Sequence, residues 1–495
     1  MENSTILFLL LASSALPAVI IFLLPEKSTA LRNSINLLGV FSKIFFVAYL
    51  IDGVINNELF YYKFAFTPEV SLVLKVDHLS LLFATLSSIL WLFTTIYAIG
   101  YFHKTKNQSR FFGFFSLCIT ATVGISIAGN LFTFFIFYEL LTLTTFVLML
   151  HTQTAQAKKA TIIYLTYTIF GGLLFLVGLV ILHSISGDME FVSGGYLGDL
   201  KNTLPFYLET IFILLFIGVG VKAAIFPLHR WLPSAMAAPA PVSALLHAVA
   251  VVKAGAFGII RIVYDIYGVE FTNSLGLLWI VLGVAVVTIL YGSIMALRQT
   301  DIKKRLAYST ISQVSYILLG VALFGPLGTI GGMIHLVHQG VMKITLFFCA
   351  GAFAKNYKIK KIKQLNGLGK VMPLGAVAFT IGAFGMIGIP PTAGFLSKWY
   401  LGMGAYENGF LSILGVLALS SLLNAAYFLP MVYRIWFLSP PLSLKPQKKL
   451  NYRNTLLILP PLLSALLTLY LGIFALNDYS ALQWVNTLVQ MEYSR

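Results

Sequence analysis

Fourteen apolar runs, each about as long as a bilayer is thick, leave this chain almost no freedom to fold in water. They read approximately 5–24, 33–52, 78–102, 110–128, 130–150, 160–186, 208–227, 241–264, 272–296, 304–323, 327–353, 373–403, 410–434 and 454–476. Only 10% of the 495 residues are charged, where a soluble domain carries roughly a quarter. With short loops between the runs, no stretch remains for a separate catalytic domain. The expected fold is an all-α polytopic membrane protein of about 14 transmembrane helices. The first run has no basic flank, and Pro25, Glu26 and Lys27 follow it without a small-residue cleavage site. It therefore reads as a retained helix rather than a signal peptide.

A net charge of +16 would suggest nucleic acid in a soluble protein. The placement of the charge excludes that partner. Loops after odd-numbered runs hold 23 of the 33 basic residues, among them Lys106, Lys159, Arg230, Lys303, Lys304, the cluster from Lys355 to Lys370, and Lys445, Lys448 and Lys449. Of the acids only Glu26 and Asp301 lie on that side. By the positive-inside rule the odd loops are cytoplasmic and both termini lie outside, in a bacterial or archaeal cell membrane. The basic loops, 355–370 above all, would also attract anionic lipids or a peripheral subunit, but orientation alone accounts for them.

Intrinsic chemistry is hard to place. Cys118 and Cys349, both inside apolar runs, are too few for an iron–sulfur cluster or a Cys-rich zinc site. No nucleophile with a base, Walker loop or dinucleotide GxGxxG is present. The chain is expected to bind no cofactor and no metal, and any redox chemistry would belong to partners.

Subtracting the loops leaves the residues that matter most. Lys43, Lys222, Lys253, Lys343 and Lys398 fall within apolar runs, as do Glu139, His247, His335 and His338. An ionisable group at mid-bilayer costs roughly 2.5–3.5 kcal/mol by insertion scales, and such groups usually face the protein interior on ion or proton routes. Glu139 lies ten residues into the fifth run and needs a cationic partner; its plainer role would be a neutral acid bonding two helices. Lys222 precedes Pro227 and Lys398 follows Pro390-Pro391, so the seventh and twelfth helices should break. Broken spans are tolerated only against protein or a water-filled cavity. Two of them, five spans apart, point to inverted five-helix repeats over spans 4–8 and 9–13. The plainer readings of these two lysines are snorkelling and helix-end packing.

In an ideal α-helix His247 and Lys253 would lie about 120° apart around the axis and about 9 Å along it, as successive stops rather than a pair. His335, Gln339 and Lys343 share one helix face. Lys43 has no such company and reads as a snorkelling or lipid-facing lysine. The constellation suits proton relay: a lysine paired with Glu139 would release its proton when that carboxylate moved away or became protonated.

These residues carry a resemblance. Lys222 to Pro227 with His229, Trp231, Leu232 and Pro233, then Ala238-Pro239 through His247 to Lys253-Ala254-Gly255, then Asp301 to Thr310, resemble the antiporter-like proton-pumping subunits shared by respiratory complex I, Mrp-type Na+/H+ antiporters and membrane-bound hydrogenases. The resemblance implies a fourteen-helix core with two inverted five-helix repeats. It implies a charge pair of Glu139 and Lys222, a central Lys253, a terminal Lys398, and a polar stripe of His335 and Lys343 on a broken eleventh helix. Two positions depart from it. Gln339 stands where many relatives have a second histidine, with His338 just before it, and Ser234 stands where many have an acid. The shorter length is similar to the D-type subunit of Mrp antiporters.

The implied function is a proton-translocating subunit of a multisubunit complex, beside other membrane subunits and a peripheral redox module or cation exchanger. The alternative is an energy-coupling scaffold for a soluble enzyme, of the kind that accumulates inorganic carbon. The expected organisation is an N-terminal helical unit at 1–102, the translocating core at 103–435, and a last helix with its tail at 436–495.

Overall fold

The computed structural model describes residues 3–187, 189–198, 205–442 and 452–493. Lys445, Lys448 and Lys449 of the basic loops lie outside them. Each apolar run forms a helix: α1 (Asn3–Leu23), α2 (Thr29–Ile55), α3 (His78–Tyr101), α4 (Gln108–Ser126), α5 (Leu131–Met149), α6 (Ala155–Ser186), α7 (Pro205–Ala223), α8 (Ala240–Tyr267), α9 (Leu277–Arg298), α10 (Ile302–Ala322), α11 (Pro326–Tyr357), α12a (Pro373–Ile387) with α12b (Ala393–Glu407), α13 (Leu411–Phe437) and α14 (Tyr452–Ile473). Twelve of these are long and apolar enough to cross a membrane; α10 is too polar in composition and α12 is split. The chain is an integral membrane protein.

Local chemistry fixes the ends. Asp77, Asn130, Thr154 and Asp301 cap α3, α5, α6 and α10 by accepting bonds from Ser80, Thr133, Ala157 and Lys304 amides. Proline opens α11 and α12a, where its missing N–H leaves nothing unsatisfied.

The loops after odd helices converge on one surface. Phe102, Thr105 to Asn107, His151, Arg230, Asp301 and Lys360, drawn from five such loops, line a single groove of about 940 Å³. Loops after even helices knit the opposite surface: the Phe191 amide bonds to the Gly129 carbonyl at 2.9 Å, and the Val192 amide to that of Asp265 at 3.1 Å. Thus α4 starts at the basic face and α9 at the other. The units α4–α8 and α9–α13 run in opposite senses, and each breaks at its fourth helix.

Four features differ from the sequence reading. A β-hairpin, Phe60–Ala65 against Ser71–Val76, fills the loop between α2 and α3. A short helix α15 (Ala481–Tyr493) follows the last span and lies on the opposite face, where Trp484 bonds to the His78 carbonyl. The eleventh helix, implied to be broken, is continuous. The eighth is not ideal: Leu245–Val249 and Ile262–Tyr267 are π-helical, and the Ala250 amide reaches back five residues to Leu245. His247 lies within the first of these wide turns, so the 120° projection to Lys253 does not hold.

Candidate functional site

The site begins where α7 ends. Lys222 sits one residue before that terminus, fully buried, with its amine donating to the Tyr138 carbonyl and lying 3.2 Å from the centroid of the Tyr138 ring. Glu139 Oε1 is 3.9 Å away. The pair is therefore close enough for strong charge coupling without a direct hydrogen bond. The Glu139 side chain is 29% exposed, while its Oε1 is buried and has no hydrogen-bond partner among the described residues.

Two glycines create this geometry. A Cβ on Gly172 of α6 would lie 2.7 Å from Glu139 Oε1, so the absent side chain is the carboxylate's room. A Cβ on Gly255 of α8 would lie 2.7 Å from the Lys222 carbonyl carbon, so glycine there lets α8 touch the end of α7. That contact packs the helix that carries Lys253 against the end of α7, while Lys253 itself, two residues from Gly255 and so about 200° around the axis, faces away from it.

Lys253 is fully buried, and its amine has no hydrogen-bond partner among the described residues. His247 is likewise unbonded and stacks on Phe347 with ring centroids 4.5 Å apart. On α11, His335 has two partners, Ser397 Oγ at 2.8 Å and Gln313 Oε1 at 3.1 Å. Lys343 donates to Ser309 Oγ and approaches the Leu306 carbonyl at 3.4 Å. His338 and Gln339 are buried without hydrogen-bond partners among the described residues.

The far end mirrors the near one. Lys398, on α12b, reaches back to the last carbonyls of α12a, Met386 at 3.0 Å and Ile387 at 2.7 Å, and to Ser421 Oγ at 3.2 Å. A cation is favoured there because the open carbonyls form the negative end of that half-helix. Lys398 is thus tied to the break rather than snorkelling.

The structure therefore places Glu139 with Lys222, sets the helix of Lys253 against the end of α7, and links His335 to the residue before Lys398. No direct hydrogen bond among the described residues joins Lys222 to Lys253, or Lys343 to Lys398. Lys43 is corrected: it is fully buried between α1 and α3 and donates to the Leu10 carbonyl at 2.7 Å.

With this geometry in place, comparison with known proteins decides the family. Residues 128–424 match the family described as NADH:quinone oxidoreductase/Mrp antiporter, TM, and residues 66–112 match the complex I chain 5 N-terminus. The chain belongs to this antiporter family. Within it, the chain is 34% identical over 380 residues to NADH-quinone oxidoreductase subunit N of Desulforudis audaxviator, covering 74% of this chain and 73% of that one. It is 32% identical over 403 residues to a probable K(+)/H(+) antiporter subunit of Rhizobium meliloti, covering 80% of this chain and 40% of the relative. A putative antiporter subunit mnhA2 of Staphylococcus epidermidis is 35% identical over 370 residues, 70% of this chain and 45% of that one. The chain thus spans less than half the length of these last two. Among antiporter-family folds, it superposes on a chain of the Mrp complex from Dietzia with TM-score 0.84, 23% identity and coverage of 100% and 98%. A chain of respiratory complex I from Thermus thermophilus gives TM-score 0.74 at 21% identity, covering 96% and 99%.

Several residues escaped the sequence reading. Tyr138, Ser309, Gln313, Ser397 and Ser421 hold the buried lysine and histidine side chains but are ordinary residues for membrane helices. Arg261 is another: it is buried, pairs with Asp77 Oδ2 at 2.8 Å and Asp265 Oδ2 at 2.6 Å, and bonds to Ser80 Oγ at 2.9 Å. Its spacing of four from Asp265 was a usable signal.

Proposed function

We propose that the chain translocates protons as one subunit of a larger membrane complex, along Glu139, Lys222, His247, Lys253, His335, Lys343 and Lys398, with the basic face toward the cytoplasm of a bacterial or archaeal cell membrane and both termini outside. The observation that carries this reading is the Glu139–Lys222 pair, 3.9 Å apart at a helix break and set against the Lys253 helix. Charge on Glu139 holds the Lys222 proton. Protonating the carboxylate, or moving it out of the space beside Gly172, weakens that hold, and the proton then passes toward Lys253 through water. His335, held between Gln313 and Ser397, carries it on toward Lys398. Names of relatives, NADH-quinone oxidoreductase and antiporter subunits, support coupling to redox or cation exchange in neighbouring subunits. The exposed flank of Glu139 supports a membrane partner on that side.

The test is proton pumping by the intact complex in inverted vesicles, for wild type, Glu139→Ala and Lys222→Ala, once assembly is confirmed. Loss of pumping in both assembled variants is expected. Unchanged proton yield per turnover in both refutes the relay.

A further inference from the structure

Lys43 is outside that route, and its surroundings point elsewhere. We propose that Lys43 is the terminal proton-binding group of a second, blind polar track, which opens on the basic face and runs between α1, α2, α3 and α4 to the middle of the membrane.

The track is a ladder of polar levels. At its mouth Arg32 donates to Ser109 Oγ and Gln108 Oε1, both at 2.9 Å, and Glu26 accepts from the Gln108 and Ser109 amides at 3.0 and 3.1 Å. One turn deeper Ser116 meets Asn36 Oδ1 at 3.4 Å. Deeper still Ser14 and Thr120 bond at 2.8 Å. Lys43 and the Leu10 carbonyl form the last level. Arg32, Asn36 and Lys43 lie on the buried face of α2, at spacings of four and seven. Lys43 is 14 residues from one end of that helix and 12 from the other, about 21 and 18 Å, hence near mid-depth.

A second observation points to a ligand. Ser87 Oγ, Trp91 Nε1 and Thr95 Oγ1 recur every four residues on α3, and Trp91 presents its ring 5.9 Å from the Lys43 amine. All three atoms are buried with no hydrogen-bond partner among the described residues, as is Asn36 Nδ2. Buried polar groups are normally satisfied, by protein or by water. Four orphans lining one column therefore favour water within it. Beyond Lys43 the lining of α2 turns apolar at Val47, Leu50 and Val54, so the track is closed toward the opposite face.

Among the described residues no acid meets Lys43. α1 carries no charged side chain. The titratable groups of α3 and α4 are turned to other partners: His78 to Trp484, Tyr97 to the Phe348 carbonyl, Tyr101 to Lys355, Arg110 to the His151 carbonyl and Cys118 to Thr144. On α2 itself Asp52 is exposed nine residues further on and Arg32 is paired at the mouth. The step is a simple exchange: the ammonium gives one proton to water in the track and becomes an amine, whose lone pair takes a proton back from the same side.

Two measurements test this in the assembled complex in sealed, oriented vesicles. In a Cys118→Ala, Cys349→Ala background, a small membrane-impermeant methanethiosulfonate ammonium reagent is expected to label Asn36→Cys and Lys43→Cys from the basic face alone, and Leu50→Cys from neither face. Absence of labelling at Asn36→Cys from the basic face, or labelling of any of the three from the opposite face, overturns the track; Asn36→Cys keeps the test decisive should Lys43→Cys fail to assemble. Separately, the Trp91 emission, taken as wild type minus Trp91→Phe, is expected to shift with pH on the basic face and to lose that shift in Lys43→Met. A shift that persists in Lys43→Met, or none in wild type, overturns Lys43 as the proton-binding group.

Discussion

The Glu139 carboxylate occupies the space that a side chain at Gly172 would fill: a Cβ there would stand 2.7 Å from Oε1, 3.1 Å from Cδ and 3.4 Å from Oε2. Only the end of a flexible side chain is in the way, so Gly172→Ala is expected to assemble normally while displacing the carboxylate from Lys222. A displacement of about 1 Å at a reacting pair lowers rates by tenfold or more. Proton pumping should fall by about that factor with unchanged complex yield. Wild-type pumping in Gly172→Ala would mean that the position of Glu139 does not set the rate.

Lys398 offers a sharper distinction between chemistry and packing. Arginine keeps a cation beside the open carbonyls of α12a but cannot be deprotonated in a protein. Lys398→Arg and Lys398→Met are therefore both expected to abolish pumping in assembled complex. Retained pumping in Lys398→Arg alone would assign the residue to capping the broken helix.

The Arg261 cluster is structural on this reading. Removing one partner of a buried ion pair costs about 3–5 kcal/mol, because the remaining charges stay buried. Arg261→Met would leave both Asp77 and Asp265 unpaired, and thermal denaturation in detergent should report a loss of that size. Asp77→Ala is expected to be milder in its pairing term, since its side chain is part-exposed, yet it also removes the α3 cap, worth about 1 kcal/mol.

His151, in the turn between α5 and α6, gives a pH dependence. Burial against Phe102 and Phe111, together with the nearby Arg110 charge, pushes its imidazole down to about 4, with Glu26 opposing. The folded chain thus holds the neutral ring where the unfolded chain, near 6.5, takes a proton. Its contribution is full above pH 6.5 and is lost as the pH falls toward 4, by about 1–2 kcal/mol after allowance for partial exposure. His151→Phe should flatten the stability profile over that window; an unchanged profile would place the titration elsewhere.

How much of this was readable in the sequence follows from the physics of each signal. Spans and breaks were legible because lipid punishes polar backbone and proline punctuates helices, so 5–24 or the Pro227 break could be read locally. The Glu139–Lys222 pair was legible because charges in apolar runs are rare. Partners supplied from afar were not. Leu10 and Trp91 reach Lys43 from 33 and 48 residues away, and no local pattern shows that a lone lysine faces inward. Gly172 gave no signal, since room for a carboxylate is a property of two helices together. The π-turns of α8 were hidden because the residues of Leu245–Val249 and Ile262–Tyr267 carry no pattern that sets a wide turn apart from an α-turn.

The groove on the basic face has an electrical consequence. Its floor reaches Ala240 at the start of α8 and Gly351 in α11. Water standing in it carries the bulk potential inward, so the membrane voltage falls over the thinner dielectric between that floor and the opposite surface. A proton crossing the bundle still exchanges about 2.3 kcal/mol with each 100 mV. On the proposed route it would do so over less than the whole helix length, so the steps beyond the groove floor would be the ones that a membrane potential pushes hardest.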